Sequence, residues 1–185
     1  MKTIKELILE NKLVERGEDC SFKEWDDRLN LIEGGYLDLT LDAVLKPKDD
    51  NFKAFLGKAT RLTPVQDEIA PLTTKSGKSL WVLHGGGYVF KTAETINLPN
   101  HFYTDLYTRR TVALDDVMLS FAPIASGFSG KLFIKAWVSD NVIFEVEKGA
   151  AFCAIRFMPV NLDLTMYQGI WGGEKSHTDG HERAK

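Results

Sequence analysis

Only a few clusters in this 185-residue chain have the residue types and spacing that chemistry requires. Arg109 and Arg110 stand side by side ahead of Thr111, and two adjacent guanidiniums can grip a phosphate. The same pair serves equally well as a solvated turn or as half of an ion pair between subunits. His84-Gly85-Gly86-Gly87 has the outline of a glycine-rich phosphate cradle or an oxyanion loop. Its surroundings fit neither: there is no G-x-S-x-G nucleophile elbow and no helix is predicted to follow, so it reads as a flexible strand connection. His177 and His181 have the i,i+4 spacing that holds a metal on a helix. Gly180 lies between them and no third ligand is close, so they read as part of a solvated tail. Cys20 and Cys153 make neither a disulfide framework nor a zinc site, and Cys153, inside Phe152-Cys153-Ala154-Ile155, reads as a small buried hydrophobe.

The elements that must position these residues are mostly strands. Thr3-Ile4-Lys5-Glu6 has the form of a capping box, and Ile4, Leu7 and Ile8 share one helical face, which predicts a short amphipathic helix over 3–14 with Gly17 as the stop. So short a helix is marginal alone and has to pack on something. Alternating or β-branched and aromatic runs then predict strands at 36–41, 79–83, 87–90, 131–138, 142–146 and 151–158. Turn chemistry separates them at 46–50, 75–78, 139–141 and 147–149. Residues 49–75 mix signals and read as a variable insertion. One helix followed by short, regularly spaced strands implies a mainly β domain, a sandwich, jelly roll or barrel. That domain is expected to span 1–172, with 173–185 as a flexible polar tail.

Composition bounds the function. The formal net charge of −3 gives no reason to expect affinity for nucleic-acid backbones, though a small anionic ligand answers to local charge instead. No segment approaches 18 consecutive apolar residues and the N-terminus carries no signal-type apolar core, so a cytoplasmic protein with no membrane partner is expected.

Four stretches carry a resemblance to a known family: Glu94-Thr95-Ile96-Asn97-Leu98-Pro99-Asn100, Thr108-Arg109-Arg110-Thr111-Val112, Ile124 to Leu132, and Lys148-Gly149 with the strand ending Phe157-Met158-Pro159-Val160. In order and spacing they resemble the dCTP deaminases and the related trimeric dUTPases. Arg109 to Val112 are similar to that family's R-S-S-L, and Ile124-Ala125-Ser126-Gly127-Phe128-Ser129-Gly130 to its I-D-x-G-[FYW]-x-G. Gly35-Tyr36-Leu37-Asp38-Leu39 resembles the early Y-D-[LV] strand, with Tyr36 read as core and Asp38 as a turn or hydrogen-bond anchor. Tyr167-Gln168-Gly169-Ile170-Trp171-Gly172 resembles the Y-Q-G-Q-x-G arm that covers the bound nucleotide.

The resemblance, closest to the dCTP deaminase branch, implies a dUTPase-like distorted β-barrel or jelly roll assembling as a homotrimer with nucleotide sites between subunits. It implies phosphate binding by Arg109, Arg110 and Thr111, and a nucleoside pocket at Ala125, Gly127, Phe128 and Lys135. It also implies a closing arm at Tyr167, Gln168 and Trp171, where Trp171 either stacks on a base or latches onto a neighbouring subunit. No metal ligand set or cofactor is expected in the protein itself, and Mg²⁺ is expected only with a nucleotide triphosphate.

Two departures bear on activity. Ala125 replaces the Asp that in dUTPases orients the attacking water, and Lys135 replaces the Glu that shuttles protons in the deaminases. A methyl group holds no proton, and a protonated amine is no base. Asp115 and Asp116 follow the phosphate motif where a second Arg is often found. The expectation is a nucleotide-binding member that has lost its acid–base groups. Two rivals stay open: an active dCTP deaminase or dUTP diphosphatase using relocated groups such as Asp115, Asp116 or Glu145, and a scaffold with no pocket.

Overall fold

The structure is a computed structural model and describes residues 3–32, 34–48, 55–56, 60–62, 66–160 and 182–184. Helix α1 (Ile4–Asn11) starts where the capping box predicts: the Thr3 hydroxyl accepts from the Glu6 amide, and the Glu6 carboxylate accepts from the Thr3 amide. The stop comes earlier than Gly17. Lys12 takes the left-handed conformation (φ 49°) and closes the helix, and the chain enters β1 (Val14–Glu15) at once.

A second helix, α2 (Phe22–Asn30), follows in place of an immediate run of strands. Ser21 and Glu24 form its capping box, and Trp25 and Leu29, four apart on an otherwise charged helix, are its buried pair. The long strands come next: β2 (Leu37–Pro47), then β3 (Phe55–Leu56), β4 (Thr60–Leu62), β5 (Gln66–Glu68), β6 (Leu72–Thr73) and β7 (Ser79–Leu83). After them run β8 (Gly86–Asn97), β9 (Phe102–Thr108), the single-turn α3 (Arg110–Leu114), β10 (Val117–Ser120), β11 (Ser129–Val138), β12 (Phe144–Glu147), β13 (Ala151–Pro159) and β14 (Glu182–Ala184).

The main sheet is antiparallel and runs β10-β11-β8-β2-β13-β9, with β1 also on β8 and β5 also on β2. It coils into a nearly closed barrel, so the fold is mainly β and dUTPase-like as expected. Smaller sheets order as β12-β7-β6 and β14-β4-β3. The stretch read as an insertion therefore contributes β5 to the main sheet and β6 to the second.

Coiling comes from bulges, where one strand gains a residue and bends. Register shifts lie at Leu41/Ala43 in β2, Lys131/Phe133 in β11 and Ala151/Cys153 in β13. At the β11 bulge the Leu132 amide donates to the Thr92 hydroxyl (2.9 Å), which itself donates to the Glu94 carbonyl (2.9 Å). One buried threonine thus repairs the hydrogen bonding that the bulge disrupts. The core inside the barrel holds Trp81, Phe90, Phe102, Phe152 and Phe157, with Phe90 and Phe152 edge to face at 5.5 Å. Cys153 is fully buried, and burial together with the nearby Glu94 charge pushes its thiol pKa up, so it is the inert core residue that its sequence context predicts.

Candidate functional site

The phosphate-type motif sits at a corner. β9 ends at Thr108, paired with Cys153 of β13, and the Arg109 amide then donates to the Phe152 carbonyl (3.2 Å). Arg109 is extended (φ −63°, ψ 141°) and stands at the start of α3, which buried Val112 fastens to the barrel. The Arg109 side chain forms an ion pair with the Asp38 carboxylate on β2. The ion pair is made within one chain and not between subunits, it involves Arg109 and not Arg110, and Asp38 is its acidic member. Arg110 and Thr111 are exposed, and Arg110 has no hydrogen-bonding partner among the described residues. Asp115 and Asp116 are also exposed at the end of α3, where Asp116 takes a left-handed φ of 54° to lead into β10.

The second cluster is the turn before β11. The Phe128 amide donates to the Ala125 carbonyl (3.1 Å), and the turn docks on Leu98 in both directions: Gly127 N–H to Leu98 C=O (2.6 Å) and Leu98 N–H to Phe128 C=O (2.8 Å). The buried Ser126 hydroxyl donates to the Phe102 carbonyl (3.1 Å). Gly127 supplies the positive φ (82°) that this turn requires. Three predicted pocket residues are therefore brought together on one rigid turn, with the Ala125 methyl exposed.

Lys135 lies further along β11, opposite Val89 on β8 and Ser120 on β10. The residue faces outward, but its ammonium folds down over the sheet, so that a Cβ on Gly87 would stand 2.8 Å from Nζ. Partial burial lowers its pKa from the ordinary lysine value. Trp137 faces outward beside it, across from Gly87 and from the exposed Met118. His84-Gly85-Gly86-Gly87 is the connection into β8, and its glycines have packing reasons: a Cβ on Gly85 would meet Asp140 at 2.5 Å, and Gly87 makes room for Lys135.

No hydrogen bond or ion pair among the described residues joins Arg109, Arg110 or Thr111 to Ala125, Gly127 or Lys135. Tyr167, Gln168 and Trp171, like His177 and His181, lie outside the described residues. Tyr36, expected in the core, is only half-buried: it meets Tyr107 edge to face at 4.8 Å with the Arg156 guanidinium 5.7 Å away.

Several charged residues that matter to this region gave little sequence signal. Glu94 is wholly buried on β8. Its carboxylate accepts from Arg28 (2.7 Å), the Thr40 hydroxyl (2.8 Å) and the Thr40 amide (2.9 Å). Arg28 also donates to the Asp38 carbonyl (2.6 Å), so α2 is pinned onto the residue that faces Arg109. Asp42, two turns of the pleat along β2, is met by Lys131 (2.9 Å), Lys148 (3.3 Å) and Lys91 (3.7 Å). Burial works against its carboxylate, but Lys131 and Lys148 outweigh it and hold the pKa below the usual range. This network floors a cleft of about 760 Å³ bounded by Gly17 to Cys20, α2 and Lys148-Gly149. It includes none of the sequence-predicted site residues, and its lining carries more carboxylates than basic side chains. Most of these residues sit in a capped helix or an alternating strand, but partners as far as 54 to 89 positions apart, such as Thr40 and Glu94 or Asp42 and Lys131, leave no local trace.

The chain is 29% identical over 104 residues to a protein described as a probable deoxyuridine 5'-triphosphate nucleotidohydrolase in two strains of Halobacterium salinarum, a match covering 54% of this chain. The chain spans 59% of the length of those curated relatives. Among solved structures, the 2'-deoxycytidine 5'-triphosphate deaminase of Agrobacterium tumefaciens superposes with a TM-score of 0.55 at 16% identity, covering 82% of this chain and 45% of that one. The dUTPase of Staphylococcus bacteriophage 80alpha, solved with dUPNHPP, matches at a TM-score of 0.38 and 15% identity, covering 75% of this chain and 95% of that one. The dCTP deaminase-like family model matches residues 3–160, which includes every described element from α1 to β13, and the chain belongs to that family.

Proposed function

We propose that this protein binds a pyrimidine deoxynucleotide, or a related phosphate ligand, between the subunits of a homotrimer, and that it does so without the proton-handling groups of its family. The observation that carries this reading is the pair Ala125 and Lys135. Ala125 presents an exposed methyl on a turn closed by the Phe128 amide and docked on Leu98 through Gly127 and Phe128, with the Ser126 hydroxyl turned inward onto the Phe102 carbonyl, so no side chain of that turn supplies a carboxylate in its place. Lys135 presents an amine where a carboxylate would be needed, and nothing on the neighbouring strands puts a carboxylate beside it. Binding is better provided for than catalysis: Arg109, Arg110 and Thr111 share one accessible corner, and the chemistry of two guanidiniums and a hydroxyl suits phosphate oxygens. Among the described residues no hydrogen bond or ion pair joins Arg109, Arg110 or Thr111 to Ala125, Gly127 or Lys135, an arrangement compatible with a site completed by a neighbouring subunit. A triphosphate would carry Mg²⁺ with it, and exposed Asp115 and Asp116 are the carboxylates next to the motif that could meet such an ion.

The test is incubation with dCTP, dUTP and their mono- and diphosphates plus Mg²⁺, read by chromatography and by thermal unfolding. The expected outcome is no dUTP or dUMP above a heat-killed control, with unfolding raised by about 5–10 °C when the bound nucleotide is at a hundred times its Kd. Product above control overturns the loss of catalysis. An unfolding temperature that moves with no nucleotide in the panel overturns the binding itself.

A further inference from the structure

Asp38 and Arg109 are held against each other from both sides before any ligand arrives. Asp38 is fixed by β2, where it pairs with Ala154 of β13, and by Arg28, which holds its carbonyl at 2.6 Å. Arg109 is fixed by the hydrogen bond its amide donates to the Phe152 carbonyl and by the first turn of α3. Their charged ends nevertheless remain reachable, with 35% of the Arg109 side chain and 42% of that of Asp38 exposed. A guanidinium offers a limited fork of donors, and a carboxylate in that fork uses the geometry a phosphate would use. The pair is thus open to an incoming anion, unlike Arg28, whose carboxylate partner is wholly buried.

From this we infer that Asp38 acts as an internal competitor for the phosphate site, occupying the Arg109 guanidinium until a phosphate ligand displaces it. The inference rests on the reading of Arg109 as a phosphate-binding residue. Asp38 also keeps that arginine from pairing with stray carboxylates, and it repels any ligand that binds without displacing it. Exposed ion pairs are weak, so the competition is readily won by a polyanion.

The test is calorimetric titration of the full-length protein with inorganic tripolyphosphate, without metal, for the wild type and for Asp38→Asn, Asp38→Glu, Arg109→Gln and the Asp38→Asn/Arg109→Gln double variant. Asp38→Asn should bind about two- to fivefold tighter than wild type, the range that follows from the weakness of exposed pairs. Asp38→Glu, which keeps the charge, should stay near wild type and shows that side-chain replacement at 38 is tolerated. Unchanged or weaker binding by Asp38→Asn, in a protein whose circular dichroism is intact, overturns the competitor role and makes Asp38 a support for Arg109. The same tightening in the Arg109→Gln background also overturns it, because Asp38 would then act on the ligand directly. If tripolyphosphate binds neither the wild type nor Asp38→Asn, the phosphate reading of Arg109 falls first.

Discussion

Two arginine–carboxylate pairs meet on the same short stretch of β2, and they are built for different ends. Glu94 lies inside, its carboxylate fully out of water and satisfied by the half-buried Arg28 and by two groups of Thr40. Arg109 and Asp38 lie at the rim, partly wet. A buried pair is costly to form and costlier to break, because removing one member strands the other. A rim pair contributes little to stability and can be exchanged for a ligand. Having the same two chemical groups a few ångströms apart, once satisfied and once open, separates what holds the barrel from what faces outward.

That contrast is sharpest under deletion. Glu94→Ala leaves the Arg28 guanidinium and the Thr40 amide without their acceptor and should cost about 3–5 kcal/mol, measured by urea unfolding. Asp38→Asn should change stability by no more than about 1 kcal/mol in the same assay. Comparable losses from both would mean that the rim pair is structural after all. Gly17→Ala comes next in size. A Cβ there would lie 2.8 Å from the Ala93 Cβ and 3.2 Å from its carbonyl oxygen, both of them unable to swing aside, so a loss of about 1–3 kcal/mol is expected.

Asp42 gives the contrast a pH dependence. Its pKa is held below the usual carboxylate value, so the folded state releases this proton more readily than the unfolded chain does. The stabilisation is complete above the unfolded carboxylate value and is lost as pH falls through the folded one. Wild type should therefore lose stability on acidification below about pH 4, and Asp42→Asn should lose less over that window while starting about 1–2 kcal/mol lower at neutral pH. Parallel acid profiles for the two proteins would show that the lysines around Asp42 hold it no better than solvent does.

The sequence made the strands legible because each barrel strand alternates or runs apolar over its own length. The predicted segments at 79–83 and 151–158 coincide almost residue for residue with β7 and β13. The α2 helix leaves little periodic signal because seven of its nine residues are not buried: Trp25 and Leu29 are too sparse a stripe to show helical periodicity, and the Ser21/Glu24 capping box is its one local mark. At the candidate site, the types and order of Arg109, Arg110, Thr111, Ala125 and Lys135 were visible in one dimension. The role of Asp38 was not, since its partner is 71 positions away and only the β2–β13–β9 register brings Arg109 to it. The glycines at 85 and 87 show the same limit, because what they make room for, Asp140 and Lys135, lies on distant strands.

The smallest expected effect concerns Lys135, and its sign is informative. Its pKa is lowered by partial burial, so the folded protein tolerates the ammonium less well than the unfolded chain does. At neutral pH the residue therefore works slightly against folding, and the penalty is relieved as pH rises through the folded pKa toward the ordinary lysine value of about 10.4. Lys135→Met keeps the stem that lies over Gly87 and removes the charge. It should unfold within about 0.5 kcal/mol of wild type at pH 7, on the more stable side, because the burial of the amine is only partial. The gap should close as the pH is raised toward 10. A Lys135→Met protein clearly less stable than wild type at neutral pH would mean that the ammonium has a partner that holds it, and that this position carries a fixed positive charge for a ligand or a neighbouring subunit.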